Sequence, residues 1–157
     1  MLRQYLENHN RSMKAFTIFY RLMPAVVFCA YGLMIIFLIL NNDRRLLRVL
    51  AVPFAVFAGI TVIRKCINAP RPYEVTNVPP LIKKDKKGQS FPSRHVVSAS
   101  IISMAGLYLN IWLGIGLMAV SVVIGFMRVV AGVHFVKDVA AGFAISIISG
   151  IIGFFIL

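Results

Sequence analysis

Four stretches of the 157-residue chain carry no charged side chain: Leu22 to Asn42, Val49 to Ile63, Val96 to Met127 and Val139 to Leu157. A bilayer hydrocarbon core of about 30 Å takes roughly 20 apolar residues of helix at about 1.5 Å each. The first and last stretches therefore each predict one spanning helix. The second is short, but Leu46 and Leu47 extend it, and Arg48 can lay its stem along apolar surface while its charge reaches the interface. The third stretch is 32 residues, too long for one span. It predicts two helices broken at Tyr108-Leu109-Asn110-Ile111-Trp112, where Tyr and Trp suit the membrane–water boundary. The pattern as a whole predicts an all-α polytopic membrane bundle of about five transmembrane helices over residues 22–157.

Residues 1–21 form a basic N-terminal segment. Leu2, Tyr5, Leu6, His9, Met13 and Phe16 recur at helical spacing, with Arg3, Glu7, Arg11 and Lys14 mostly elsewhere. An interfacial amphipathic helix and a solvated basic leader both fit that pattern. No cleavable signal is expected, because no small-residue cleavage pattern follows a short apolar core. Cys29 and Cys66 lack metal-ligand spacing and imply no disulfide framework.

Composition agrees with the membrane reading and removes other classes. Hydrophobic residues make up 59% of the chain and charged ones 14%, against about 45–50% and 25% in soluble domains. Disorder and a second soluble domain are excluded. The net charge, 17 − 5 = +12, would suit nucleic acid if it were spread over one face. Here it is clustered between apolar stretches, so no nucleic-acid partner is expected.

The clusters carry the chemistry. Beyond Arg94 the Asp, Glu, Lys, Arg and His side chains are His95, Arg128, His134, Lys137 and Asp138, all at the edges of apolar stretches. Connectivity brings the end of span two, the start of span three, the end of span four and the start of span five to one side. Arg64, Arg71, Arg94, His95, Arg128, His134 and Asp138 can meet there. Ionisable groups at membrane depth are costly and point to function. Guanidinium forks suit phosphate oxygens, and two histidines can supply a nucleophile and an acid. Asp138 follows His134 by four residues, on one face of a helical turn. It can hold a proton on one ring nitrogen and leave a lone pair on the other. A divalent ion would face the arginines with one carboxylate to hold it, so no metal site is expected. In Ser90-Phe91-Pro92-Ser93-Arg94-His95, Ser93 is a good N-cap, and the helix start behind it offers N–H groups to an anion.

These residues together resemble the type 2 phosphatidic acid phosphatase (PAP2) superfamily of membrane lipid phosphatases. That family carries Lys, six spacers and Arg-Pro; then Pro-Ser-Gly-His; then Ser-Arg, five spacers, His, three spacers and Asp. This chain has Arg64, six spacers and Arg71-Pro72; then Pro92-Ser93-Arg94-His95; then Met127-Arg128, five spacers, His134, three spacers and Asp138. The resemblance implies a PAP2-like core with an active-site loop over about 64–95. It implies catalysis by His134 as nucleophile, Asp138 as its partner and His95 as acid and base, with phosphate held by Arg64, Arg71, Ser93, Arg94 and Arg128. It further implies a phosphohistidine intermediate, a metal-independent phosphoric ester or anhydride hydrolase, and no cofactor. Three positions depart from the pattern. Arg64 replaces Lys, with Lys65 adjacent; Arg94 brings a large cation where the family has Gly; Met127 removes a hydroxyl.

The lipid phosphate substrates implied are phosphatidate, phosphatidylglycerophosphate or undecaprenyl diphosphate. The loop Lys83-Lys84-Asp85-Lys86-Lys87 adds either attraction to anionic lipid or a solvated surface. The resemblance implies a multi-pass cell-membrane protein with its active site on the extracytoplasmic face. The basic residues argue the other way: Arg44, Arg45 and Arg48 lie on one side and the other fourteen Lys and Arg on the site's side, which the positive-inside rule would place in the cytoplasm. Two alternatives accompany the hydrolase: a lipid phosphotransferase using the same phosphohistidine, and a non-enzymatic membrane transport or scaffold protein.

Overall fold

The computed structural model describes residues 2–76, 78–83 and 87–157. Among them seven helices follow in order: α1 (Leu2–Asn8), α2 (Asn10–Leu40), α3 (Leu46–Ile67), α4 (Pro72–Val75), α5 (Arg94–Leu109), α6 (Ile111–Val130) and α7 (Val136–Gly150). A π-wound segment, Ile151–Ile156, continues α7. Lys84, Asp85 and Lys86 of the lysine loop lie outside the described residues.

Among the described residues, four helical segments are long and apolar enough to cross a membrane: Asn10–Leu40, Leu46–Val75, Ile111–Val130 and Val136–Ile156. The remaining bundle helix, α5, has 16 residues, about 24 Å at 1.5 Å per residue, less than a full span. It is instead the axis of the bundle, with every residue from Val96 to Gly106 buried. The break expected near Tyr108 to Trp112 falls at Asn110. Its Oδ1 accepts from the Trp112 and Leu113 N–H groups at 2.9 and 3.1 Å and so caps α6.

The N-terminal segment divides at His9, whose backbone is extended. Residues 10–21 continue into α2, which at 31 residues is about 46 Å long and projects beyond the hydrocarbon core on the site's side. On α3, Asn68 adopts a left-handed φ of 41° and ends the helix.

Three apolar clusters hold the bundle. Val27 and Met34 of α2 meet Ala99 and Ile102 of α5 and Leu117 and Ile124 of α6. Leu38 and Val49 pack with Ile101, Met104, Ala105 and Phe154. Nearer the site, Tyr20 packs with Met127, Ala131 and Val133. Because lipid is as apolar as the core, close approach and hydrogen bonds must drive association. At Gly150 of α7 a Cβ would stand 2.7 Å from Met104 Cγ, and at Gly142 one would stand 3.3 Å from the Ser93 carbonyl oxygen. Ser103 and Ser121 join α5 to α6 at 3.0 Å, and Ser146 donates from α7 to the Val97 carbonyl at 3.1 Å. The outward faces display Leu33, Phe54, Val62, Phe126 and Phe155 to lipid.

Candidate active site

The close seam between α5 and α7 determines where the site forms. Beside Gly142, the Ser93 N–H donates to the Asp138 carbonyl at 3.0 Å, joining the start of α5 to the first turn of α7. Asp138 is 1% exposed and His134 4%. The Asp138 Oδ2 accepts from the Phe135 N–H at 3.0 Å, closing the first turn of α7, and from the Ser90 hydroxyl at 2.5 Å. It lies 3.5 Å from His134 Nδ1, which is also 3.4 Å from Ser90 Oγ. Since the Ser90 proton goes to the carboxylate, its oxygen can accept from His134. This network places the ring proton on Nδ1 and leaves the lone pair on Nε2. Burial pushes the His134 imidazole below its ordinary value, and the charges of Arg71 and Arg64 push the same way against the pull of Asp138. Burial thus favours the neutral ring, the form a nucleophile needs.

Three guanidiniums are buried at this end of the bundle, and two of them, Arg64 and Arg71, lie near enough for their charges to act on His134. Arg64 donates to the carbonyls of Gln89, Ser90 and Pro92, binding α3 to the turn that carries Ser90. Lys65 is exposed, so Arg64 and not its neighbour faces inward. Arg71 Nε donates to the Gly88 carbonyl at 2.9 Å. Glu74 supports the same turn by accepting from the Arg71 and Gly88 N–H groups at 2.7 and 2.9 Å. Arg128 donates to the Tyr20 hydroxyl, and its guanidinium carbon stands 3.9 Å from the Tyr20 ring centroid. Arg71 lies close enough to both Arg64 and Arg128 for its charge to act on each.

Ser93 occupies the expected N-cap position of α5, but its hydroxyl does not cap the helix. That hydroxyl is fully buried and has no hydrogen-bond partner. The Ser93 backbone is engaged on both sides, its N–H donating to the Asp138 carbonyl and its own carbonyl accepting the first bond of α5 from the Val97 N–H. Arg94, unlike Arg64, Arg71 and Arg128, is exposed, with its guanidinium carbon 5.8 Å from the Phe57 ring centroid. His95, half-buried, shares with it a pocket of about 240 Å³. Sequence reasoning missed Ser90 and Tyr20.

The arrangement can bind and attack an anion. Three buried cations stand against one buried carboxylate, and an uncompensated buried charge is costly. A phosphate dianion would balance that excess, with the His134 lone pair available for its phosphorus. Among the described residues no three His, Cys, Asp or Glu side chains cluster as metal ligands would.

Known proteins share this chain's sequence pattern and fold. The model of the PAP2 superfamily matches residues 45–156. The chain belongs to that superfamily: it is a multi-pass membrane hydrolase with PAP2-type lipid phosphatase or phosphotransferase activity. It is 31% identical over 158 aligned residues to the undecaprenyl-diphosphatase BcrC of Bacillus subtilis (strain 168), covering 95% of this chain and 77% of the relative. The crystal structure of Aquifex aeolicus LpxE superposes with a TM-score of 0.72 at 26% identity, over 97% of this chain and 92% of that one. A transmembrane PAP2-type phosphatidylglycerolphosphate phosphatase from Bacillus subtilis shares the fold, with a TM-score of 0.65 at 21% identity over 92% and 75%.

Proposed function

We propose that the chain hydrolyses a lipid phosphate monoester or a polyprenyl diphosphate through a phosphohistidine on His134, releasing inorganic phosphate. The observation that carries this reading is the buried Ser90–Asp138–His134 network beside Arg64 and Arg71, with buried Arg128 next to Arg71. His134 Nε2 attacks the terminal phosphorus in line, the bond to the leaving oxygen breaks, and His95 gives that oxygen a proton. Asp138 holds the ring and offsets the positive charge that it gains. Water then gives a proton to His95 and attacks the phosphohistidine, freeing phosphate and restoring His134. Arg64, Arg71, Arg128 and the unpartnered Ser93 hydroxyl bind the equatorial oxygens and hold them more tightly as charge redistributes in the transition state.

Candidate substrates are phosphatidate, phosphatidylglycerophosphate and undecaprenyl diphosphate, the last being what the name of the BcrC relative describes. The site's excess positive charge disfavours a divalent ion, so the reaction is expected to run without a metal. Phosphate release by purified protein from a panel of these lipids, with EDTA present, tests the reading. Release from at least one supports it; release from none contradicts it. A phosphotransferase would instead lose free phosphate when an alcohol acceptor is added.

We place the site on the extracytoplasmic face, as the family resemblance implies and as the distribution of Lys and Arg opposes. Cys66 is exposed on the last turn of α3, two residues after Arg64. With Cys29 replaced, an impermeant thiol reagent is expected to label Cys66 in intact cells; protection until the membrane is opened contradicts this placement.

A further inference from the structure

Arg94 stands apart from the buried arginines. Among the described residues its guanidinium meets the Phe57 ring and no carboxylate. It lies near enough to Arg64 for their charges to repel, yet its side chain is exposed beside His95 in the 240 Å³ pocket. That pocket shares Phe28, Phe57 and Ser98 with a larger groove of about 550 Å³ between α2, α3 and α5. The groove is almost wholly apolar, walled further by Tyr31, Phe54 and Ile102. Arg94 thus neighbours Arg64 on one side, and on the other its pocket with His95 adjoins an apolar groove of the kind that holds a hydrocarbon chain.

We propose that Arg94 is a specificity residue that binds the inner phosphate of a lipid diphosphate and so selects diphosphates over lipid monophosphates. This rests on the phosphohistidine reading above. His95, as the acid, must lie at the oxygen joining the departing phosphate to the rest of the substrate. In a lipid diphosphate the next group toward the groove is a second phosphate, and Arg94, the residue beside His95 on the first turn of α5, meets it. In a monophosphate the same place holds uncharged carbon, to which a guanidinium offers nothing. The products balance: P–O cleavage at the bridging oxygen leaves a lipid monophosphate and phosphorylated His134, and water then yields inorganic phosphate. An arginine here also stabilises charge building on the inner phosphate as it leaves.

The test compares kcat/KM for farnesyl diphosphate and farnesyl monophosphate in detergent, for the wild type, Arg94→Gln, Arg94→Gly and Arg94→Lys. Gln keeps most of the bulk against Phe57, Gly restores the family residue, and Lys keeps the charge. The expected result is that Gln and Gly reduce the diphosphate-to-monophosphate ratio about tenfold, in the range of one lost hydrogen bond to a charged group. Lys retains most of the ratio. An unchanged ratio with both substrates slowed equally, or with neither slowed, overturns the proposal. Should Gly misfold, the Gln and Lys pair decides alone. Wild-type protein that releases phosphate from neither substrate overturns the underlying phosphatase reading and this proposal with it.

Discussion

The Ser90 hydroxyl donates to Asp138 Oδ2 at 2.5 Å and its oxygen lies 3.4 Å from His134 Nδ1, so one side chain touches both members of the buried pair. Ser90 is thus a positioning residue for His134. Hydrogen bonds to charged groups contribute about 1.5–3 kcal/mol, which corresponds to roughly ten- to a hundredfold in rate. Ser90→Ala is expected to lower kcat by that factor with KM little changed, and Ser90→Thr to recover part of it. A rise in KM without a fall in kcat would place Ser90 in substrate binding instead.

Tyr20 reaches Arg128 from a helix that the motifs do not include. Tyr20→Phe keeps the ring under the guanidinium and removes its acceptor. A hydrogen bond to a charged group is worth about 1.5–3 kcal/mol, so KM is expected to rise roughly tenfold or more, measured by steady-state phosphate release. A fall in KM would mean that the hydroxyl competes with substrate for Arg128.

The acid limb of activity follows from His134. Its folded-state value is depressed below 6.5, chiefly by burial, so the neutral nucleophile persists to lower pH than in a free imidazole. As pH falls below 6.5 an unfolded chain would take up the proton before the folded one, which also lowers stability in acid. The midpoint of the acid limb in kcat/KM is expected below pH 6.5; a midpoint at or above it would contradict the burial argument.

Much of the site was legible because helix periodicity and motif spacing act on the same positions. The break at Asn110 and the meeting of Arg64, His134 and Asp138 follow from uncharged stretches and the four-residue step. The choice of Arg64 over Lys65 was also within reach. The inward residues of α3 are Val49, Pro53, Ile60 and Arg64, one helical face. Tyr20 likewise shares a face with Val27, Met34 and Leu38, a register that ran unbroken from the supposed N-terminal segment into the first span. Ser90 was harder. Its role depends on Arg64 binding the carbonyls of Gln89, Ser90 and Pro92, and contacts from α3 to that turn have no periodic signature. The Ser93 hydroxyl departed from a local preference: it stands at the N-cap position of α5, buried and without capping the helix, and the neighbouring sequence carries no sign of that.

Turnover through His134 requires a covalent bond between its Nε2 and the transferred phosphate. Purified protein mixed briefly with a lipid substrate carrying radiolabelled terminal phosphate, quenched in alkaline denaturant and digested, should yield one labelled peptide containing His134. The label should be stable in alkali, lost in acid, and absent from His134→Ala, which should also release no phosphate. Label on a different residue, or phosphate release by His134→Ala at the wild-type rate, would contradict the account.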